Sequence, residues 1–481
     1  MTERAESLSG RVARGAAWSG ASTIALRLGS LVVGIVIARI LTPEQFGVYA
    51  VALTVQGILM TVADLGLSAD VIRSDEPERI APTIATLGLV SGATLTVITM
   101  VSSSALAGVM GSPEAGPAIA VLSLTLVLGG AGVVPFAFLT RRFQQRELFL
   151  VNLVDFTVST VVTLSLISLG MGVMGLAIGR VVAQTVSLVM QFALARVRPR
   201  YSIDRSVLRP VLAFGLPIAA ANLLSWGVLN VDNIVLVRIA GATALGFYVL
   251  AFNISSWPMT ALGQVARAVT LPYFSRTEDK AGSLALMTAL AWAGALPAGA
   301  VLAVLAAPLI EVVYGPKWLP AAPVLAALGV YGAVRVVFDV FAGFLYSQGR
   351  SRPVLWIQVI WLVALIAGMI AGTTAYGLVG AGWVHVLVAI LIVLPAYLIA
   401  LRRSGVAVGA VLRACMWPTV ASVPAVAAAL GARIWVPAPA LSLVVGGLAA
   451  VLVYSACMFP WARKHLRKLR GAGRTTAVRA S

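Results

Sequence analysis

The chain has 481 residues, 60 % of them hydrophobic and 11 % charged, with a mean hydropathy of +0.98. Many apolar windows reach at least 18 residues, which excludes a soluble domain and makes the chain a polytopic membrane protein. A net charge of +18 would point to nucleic acid in a soluble protein, but here the charge follows membrane topology, and no nucleic-acid partner is expected.

The polar head Met1 to Arg14 leads into an apolar run too long for a signal-peptide core and lacking a small-residue cleavage site, so the first span is expected to stay. Fourteen spans are predicted, starting near residues 16, 46, 83, 116, 148, 172, 212, 244, 283, 320, 353, 377, 413 and 438. Each has room for the roughly 20 apolar residues a helix needs to cross the hydrocarbon. Ten-residue alternating segments are absent, which leaves helices as the way to satisfy backbone polar groups there.

With the N-terminus placed in the cytoplasm, 27 of the 35 basic residues fall on one side, including Arg73, Arg141, Arg142, Arg196, Arg198, Arg200, Arg402, Arg403 and the tail after Trp461. The positive-inside rule then puts both termini inside. The opposite loops are short, for example TPEQ, GATA and YGPKWLP. Val36 to Asp64 has a weaker second copy 199 residues downstream. Aligning Ile35 to Ala52 with Ile234 to Ala251 superposes Arg39 on Arg238, Gly47 on Gly246 and Tyr49 on Tyr248. Each copy is an apolar helix ending in Arg-Ile, a short break, then Gly-x-Tyr opening the next helix, so the chain reads as two related halves.

The expected organisation is a cytoplasmic N-terminus (1–15), an N-lobe of six spans (16–195), a basic linker (196–211), a C-lobe of six spans (212–403), a further pair (404–461) and a basic tail (462–481). Cys415 and Cys457 lie in apolar runs with neither metal nor disulfide spacing, and no metal or cofactor is expected.

Several blocks resemble a known family: LTPEQFGVYAVALTVQGILMTVADLGLSADVIR, RRFQQRELFLVN, the stretch from LRPVLAFGLPIAAANLL to NISSWPMT, and YGPKWLPAAPVLAALGVYGAVRVVFDVFAGFLYSQGRSRPVL. They are similar to the polysaccharide transporter (Wzx-like) branch of the MOP flippase superfamily, over about Ala16 to Arg403. The resemblance implies two pseudo-symmetric six-helix lobes in a V around a central cavity lined by spans one, two, seven and eight. It also implies a bacterial cytoplasmic-membrane transporter, not an enzyme, that flips undecaprenyl-diphosphate-linked oligosaccharide outward by alternating access. The implied partners are that substrate, membrane lipids and polysaccharide assembly proteins.

Ionisable groups at membrane depth are costly, which makes each a candidate site residue. Arg27 lies about twelve residues into span one, roughly 18 Å deep, where its fork of donors suits a diphosphate; a fixed interhelical salt bridge is the alternative. Asp64 in span two, Asp232 toward the outer end of span seven and Arg267 in span eight complete the set: Arg27 and Arg267 for substrate, Asp64 and Asp232 for the cavity or ion coupling. Asp155 and Arg180 are expected to pair. Arg335 and Asp339 share a helix face four residues apart, and His385 is expected to be a hydrogen-bonded packing histidine. Pro217 and Pro258 interrupt spans seven and eight and are hinge candidates.

Three other readings stay open: a lipid II (peptidoglycan precursor) flippase or a multidrug exporter of the same superfamily, and, from a different class, a membrane-embedded polysaccharide polymerase or ligase.

Overall fold

The computed structural model describes residues 26–198, 200–276 and 280–479. The side chains of 228–229, 261, 265–273, 275–276, 280–281, 462 and 464–479 fall outside the description, as do the N-terminal segment 1–15 and the start of the first span. Among the described residues there is no strand, and twelve helical stretches are long and apolar enough to cross a membrane.

The helices begin and end where local chemistry dictates. Helix α1 (26–40) stops at Thr42, whose hydroxyl accepts from the Gln45 amide at 3.2 Å while Gln45 Oε1 accepts from the Thr42 amide at 3.1 Å. This capping box, with proline in the first turn, starts α2 (Pro43–Asp64). Leu65 and Gly66, both left-handed, end it and lead into the short α3 (Leu67–Arg73). Helices α4 (Pro77–Met110), α5 (Gly116–Arg141), α6 (Gln145–Ser168) and α7 (Gly172–Ala195) follow.

Two long helical stretches are each broken by one glycine. Arg205–Arg276 divides at Gly241 (φ 83°, ψ 174°) into α8 (205–240) and α9 (242–276). The 52-residue stretch Ser351–Arg402 would extend about 78 Å if straight, against a hydrocarbon core of roughly 30 Å. It turns at Gly377 (φ 57°, ψ −139°), where only glycine is unstrained, and Gly380 then packs against the Gly372 carbonyl. The halves are α13 (351–376) and α14 (378–402). Between these long stretches come α10 (Lys280–Val304), α11 (Ala306–Val313) and α12 (Ala322–Ser347), and the chain closes with α15 (Val408–Trp435) and α16 (Pro439–Arg479).

The chain forms two compact units, Met1–Gly246 and Phe247–Ser481. In the first, Gly88 and Gly130 abut backbone to backbone, which lets α4 and α5 approach closely, as small residues do where lipid offers no hydrophobic drive. Leu67, Ile84, Phe138, Val207 and Val211 join α3, α4, α5 and α8 at the end where the arginines gather. The seventh span, α8, therefore packs within the first unit. In the second unit α12 is the central helix, with 78 % of its apolar window buried. Helices α15 and α16 lie against α10: Leu305, Ala425, Ala429 and Ala450 share a core, and the Tyr454 hydroxyl donates to the Ala293 carbonyl at 2.7 Å.

Candidate functional site

The duplicated hairpins explain the Gly-x-Tyr motif. A Cβ on Gly47 would land on the Ala242 carbonyl, and one on Gly246 would land on the Pro43 carbonyl. The 199-residue repeat makes Pro43 the counterpart of Ala242 and Gly47 that of Gly246. The starts of α2 and α9 thus cross reciprocally at equivalent residues. The tyrosines tie each helix to later helices of its own half. Tyr49 packs beside Leu41, Ile167 and Leu176. Tyr248, fully buried, has its hydroxyl 2.7 Å from His385 Nε2, and the His385 ring lies 5.0 Å from that of Tyr331. His385 is the hydrogen-bonded packing histidine expected.

Each unit also holds a polar cavity beside its copy of the repeated helix. The one in the first unit measures about 360 Å³, within the size range of small-molecule sites, and is lined by Met60, Asp64, Ser68, Gly129, Gln184 and Gln191 among others. Asp64 ends α2 beside the left-handed break at Leu65 and Gly66. Gln184 Nε2 donates to the Thr125 carbonyl at 3.0 Å, which fixes the orientation of its amide. Gln56 Nε2 donates to the Thr125 hydroxyl at 2.6 Å, so α2, α5 and α7 are stitched together at this level.

Two amide oxygens remain unpartnered in this cavity. The Gln184 and Gln191 side-chain oxygens are buried and have no hydrogen-bond partner among the described residues. A buried acceptor left without a donor costs about 1–3 kcal/mol. With the Asp64 carboxylate beside them, the wall favours a ligand that brings O–H or N–H groups.

The cavity in the second unit is smaller, about 120 Å³, and is lined by Ser255, Ser256, Thr260, Tyr331, Arg335 and Asp339 among others. Its wall carries charges of both signs and several hydroxyls. Met259, the repeat counterpart of Met60, lies over Gly332 in this cavity as Met60 lies over Gly129 in the other.

The sequence-predicted residues are not gathered in one place. Asp64 lines the larger cavity. Arg27, half-buried in α1, is not among that cavity's lining residues; its carbonyl accepts from the Ser30 hydroxyl at 2.9 Å. Two residues along α1, Gly29 faces Phe156 of α6. The neighbouring carboxylate, Asp155, is engaged by Arg180 at 3.0 Å and by the Ser187 hydroxyl at 3.0 Å, the ion pair expected from the sequence. Asp232 is buried in α8, with one carboxylate oxygen 3.0 Å from the Asn233 amide. The side chain of Arg267 lies outside the described residues. Pro217 and Pro258 sit within helix, and the non-helical residue of that long stretch is Gly241. Gly215, beside Pro217, packs against the Leu65 carbonyl at the end of α2.

Sequence reasoning missed Gln184 and Gln191. Their signal was present: two amides seven residues apart, hence on one face of α7. A search confined to ionisable groups passes over them.

Comparison with known proteins gives this architecture a lineage. A family model described as polysaccharide biosynthesis protein matches residues 36–323. The succinoglycan biosynthesis transport protein ExoT of Rhizobium meliloti (strain 1021) is 26 % identical over 93 % of this chain and 92 % of its own length. The lipopolysaccharide biosynthesis protein WzxC of Escherichia coli (strain K12) is 26 % identical over 82 % of each chain. Among solved structures, the lipid II flippase MurJ in an inward closed conformation superposes with a TM-score of 0.74 at 12 % identity, covering 93 % of this chain and 99 % of that one. An inward-facing multidrug resistance MATE family transporter of the MOP superfamily gives 0.60 at 18 % identity, covering 79 % and 96 %. The chain belongs to the polysaccharide biosynthesis protein family and shares its helical fold with the MurJ and MATE structures.

Proposed function

We propose that the chain moves a lipid-linked oligosaccharide across the bacterial cytoplasmic membrane by alternating access, for assembly of a cell-surface polysaccharide. The observation that carries the reading is the pair of unpartnered amide oxygens beside the Asp64 carboxylate in the cavity between α2, α5 and α7. Hydroxyl-rich sugar supplies the donors that the Gln184 and Gln191 oxygens and the Asp64 carboxylate call for. The diphosphate requires the opposite chemistry, and Arg27 and Arg267 are its proposed partners. Asp232 joins Asp64 as the candidate for ion coupling.

In this reading the chain crosses fourteen times with both termini in the cytoplasm. Spans of 16–195 and 212–403 form the two lobes, joined by the linker 196–211, and 404–461 is an added pair. Helix α8 belongs to the second lobe by duplication yet packs with the first unit by contact. A helix with both allegiances suits a transporter whose lobes exchange contacts, with Pro217 and Pro258 as the bending points. If Pro217→Ala leaves transport and cysteine accessibility on both faces unchanged, the hinge assignment falls.

Reconstitution in liposomes tests the transport reading. Wild type is expected to make lipid-linked oligosaccharide accessible to an outside glycosidase. Gln191→Leu and Arg27→Ala, both folded, are expected to slow that movement at least about tenfold, the equivalent of one lost charge-assisted or buried hydrogen bond. A carboxylate among unpartnered acceptors would also hold a cation, which keeps multidrug export as the second reading. Efflux of a cationic dye with no movement of lipid-linked sugar would replace the first reading by the second. Movement of lipid II alone would make the peptidoglycan precursor the cargo, and polymerised sugar would move the chain to the enzymes.

A further inference from the structure

A third cavity, of about 390 Å³, opens in the first unit at the end where its arginines gather, between α4, α5, α7 and the segment that follows α7. Its rim carries Arg142, Arg196, Arg198 and Arg200 against a single carboxylate, Glu78. Its floor is apolar, built from Val134, Phe138 and Phe192 with small alanines between them. Neither half suits a soluble anion and a plain hydrocarbon chain equally: the site asks for one molecule with an anionic head and an apolar body.

The rim is built, not merely exposed. Arg142 donates to the Ala195 carbonyl at 2.7 Å, and its guanidinium lies 5.0 Å from the Phe138 ring centroid, which sets its position at the edge of the floor. Arg196 turns the chain with a left-handed backbone (φ 51°). Beyond it the chain is sewn to α4: the Ser202 amide donates to the Pro82 carbonyl at 3.4 Å, the Thr86 hydroxyl to the Ser202 carbonyl at 3.0 Å, and the Asp204 amide to the Thr83 hydroxyl at 3.1 Å. Among the described residues, Arg196, Arg198 and Arg200 have no carboxylate within 4.0 Å.

We infer that this cavity binds an anionic diacyl phospholipid, its phosphodiester held by Arg196, Arg198 and Arg200 and its acyl chains lying on Phe138 and Phe192. The guanidinium fork matches phosphate oxygens, and basic pockets at the ends of membrane helices hold such headgroups. The lipid joins Arg196, Arg198 and Arg200 to α4 and α5. The site is separate from the cargo cavity and stands or falls independently of the transport reading.

Native mass spectrometry of the full-length protein, delipidated in detergent, tests this with three probes: dioleoyl phosphatidylglycerol, dioleoyl phosphatidylcholine and inorganic phosphate. Wild type is expected to retain one phosphatidylglycerol that survives activation, with no comparable phosphatidylcholine adduct. Each arginine near an anionic headgroup is worth about 1 kcal/mol, so R198Q/R200Q is expected to weaken retention about 30-fold. The charge-reversed pair R198E/R200E is expected to abolish it. The same reversal in the tail, R467E/K468E, is expected to leave it intact. Equal retention of the two lipids, undiminished retention in R198Q/R200Q, or displacement by millimolar inorganic phosphate would each overturn the assignment. If the Glu pair does not fold, the Gln pair carries the test.

Discussion

The two polar cavities share a scaffold and differ in chemistry. In each, a methionine at the same position of the duplicated helix lies over a glycine of a later helix, Met60 over Gly129 and Met259 over Gly332. Around that common contact the first unit places a carboxylate and two unpartnered amide oxygens, whereas the second places Arg335, Asp339 and hydroxyls. Duplication has kept the packing and let the polar wall diverge. A wall holding both charge signs can satisfy itself internally, whereas the two amide oxygens left unpartnered in the first cavity call for donors from outside. That contrast is the physical reason for placing sugar in the first cavity.

The largest expected effect falls on what the halves share. Gly47→Ala puts a methyl group on the Ala242 carbonyl, and because the obstacle is backbone it cannot rotate away. A loss of roughly 3–5 kcal/mol is expected, enough to unfold the crossing or drive α2 and α9 apart. Gly246→Ala, its counterpart, is expected to cost the same. Thermal midpoints of the two variants measure this, and a harmless alanine at either position would show that the reciprocal crossing is not a tight contact.

Next come the methionines. Met259→Ala removes a buried side chain over a glycine at an expected cost of about 2–5 kcal/mol, and Met60→Ala, which removes a half-buried one at a cavity wall, is expected to cost less. Their transport losses should run in the opposite order. Met60→Ala reshapes the acceptor wall and is expected to slow cargo movement more than Met259→Ala at matched folded protein. Equal slowing by both would erase the functional distinction between the cavities.

Gln191→Leu sharpens the same distinction with a smaller and opposite effect on stability. It replaces a buried acceptor without a partner by an apolar side chain of similar size, so the thermal midpoint is expected to hold or rise. Transport is expected to fall. Gln184→Leu differs, since it also leaves the Thr125 carbonyl without the amide that donates to it at 3.0 Å. It should lower stability where Gln191→Leu does not.

Much of the fold is legible in the chain because a bilayer admits few solutions. Apolar length marked the spans, and the predicted start at residue 377 coincides with the glycine that turns α13 into α14. The repeat exposed Gly47 and Gly246 as a pair, and Arg180 and Asp155 found each other because no other placement of two such charges is cheap in hydrocarbon. The cavity walls were less legible. Which face of a helix turns inward depends on rotation about its axis, which hydropathy leaves nearly undetermined when every face is apolar. Gln184 and Gln191 carry no charge, so nothing in a search for ionisable residues drew attention to them. Arg27 and Asp64 both stand out in the sequence, yet Asp64 lines the larger cavity and Arg27 does not.

The smallest expected effect compares two helix starts. Helix α8 opens behind Asp204, whose carboxylate accepts from the Ser206 amide at 2.8 Å and the Ser206 hydroxyl at 2.6 Å, whereas α15 opens behind Ala407 with no side-chain cap. Those two hydrogen bonds favour the charged form and hold the Asp204 carboxyl below its ordinary 3.8. A lowered folded-state value means that the stabilisation is fully present above the unfolded value and is lost as pH falls through the folded one. Protection of the first α8 amides, measured by hydrogen exchange and corrected for the intrinsic pH dependence, should therefore be flat from pH 7 to about pH 5 and decline only below about pH 4. Ser206→Ala should move that decline upward toward the ordinary carboxylate range, and Asp204→Asn should remove it. The start of α15 should show no such dependence. A decline near pH 6 at α8 would mean that some other group controls this helix start.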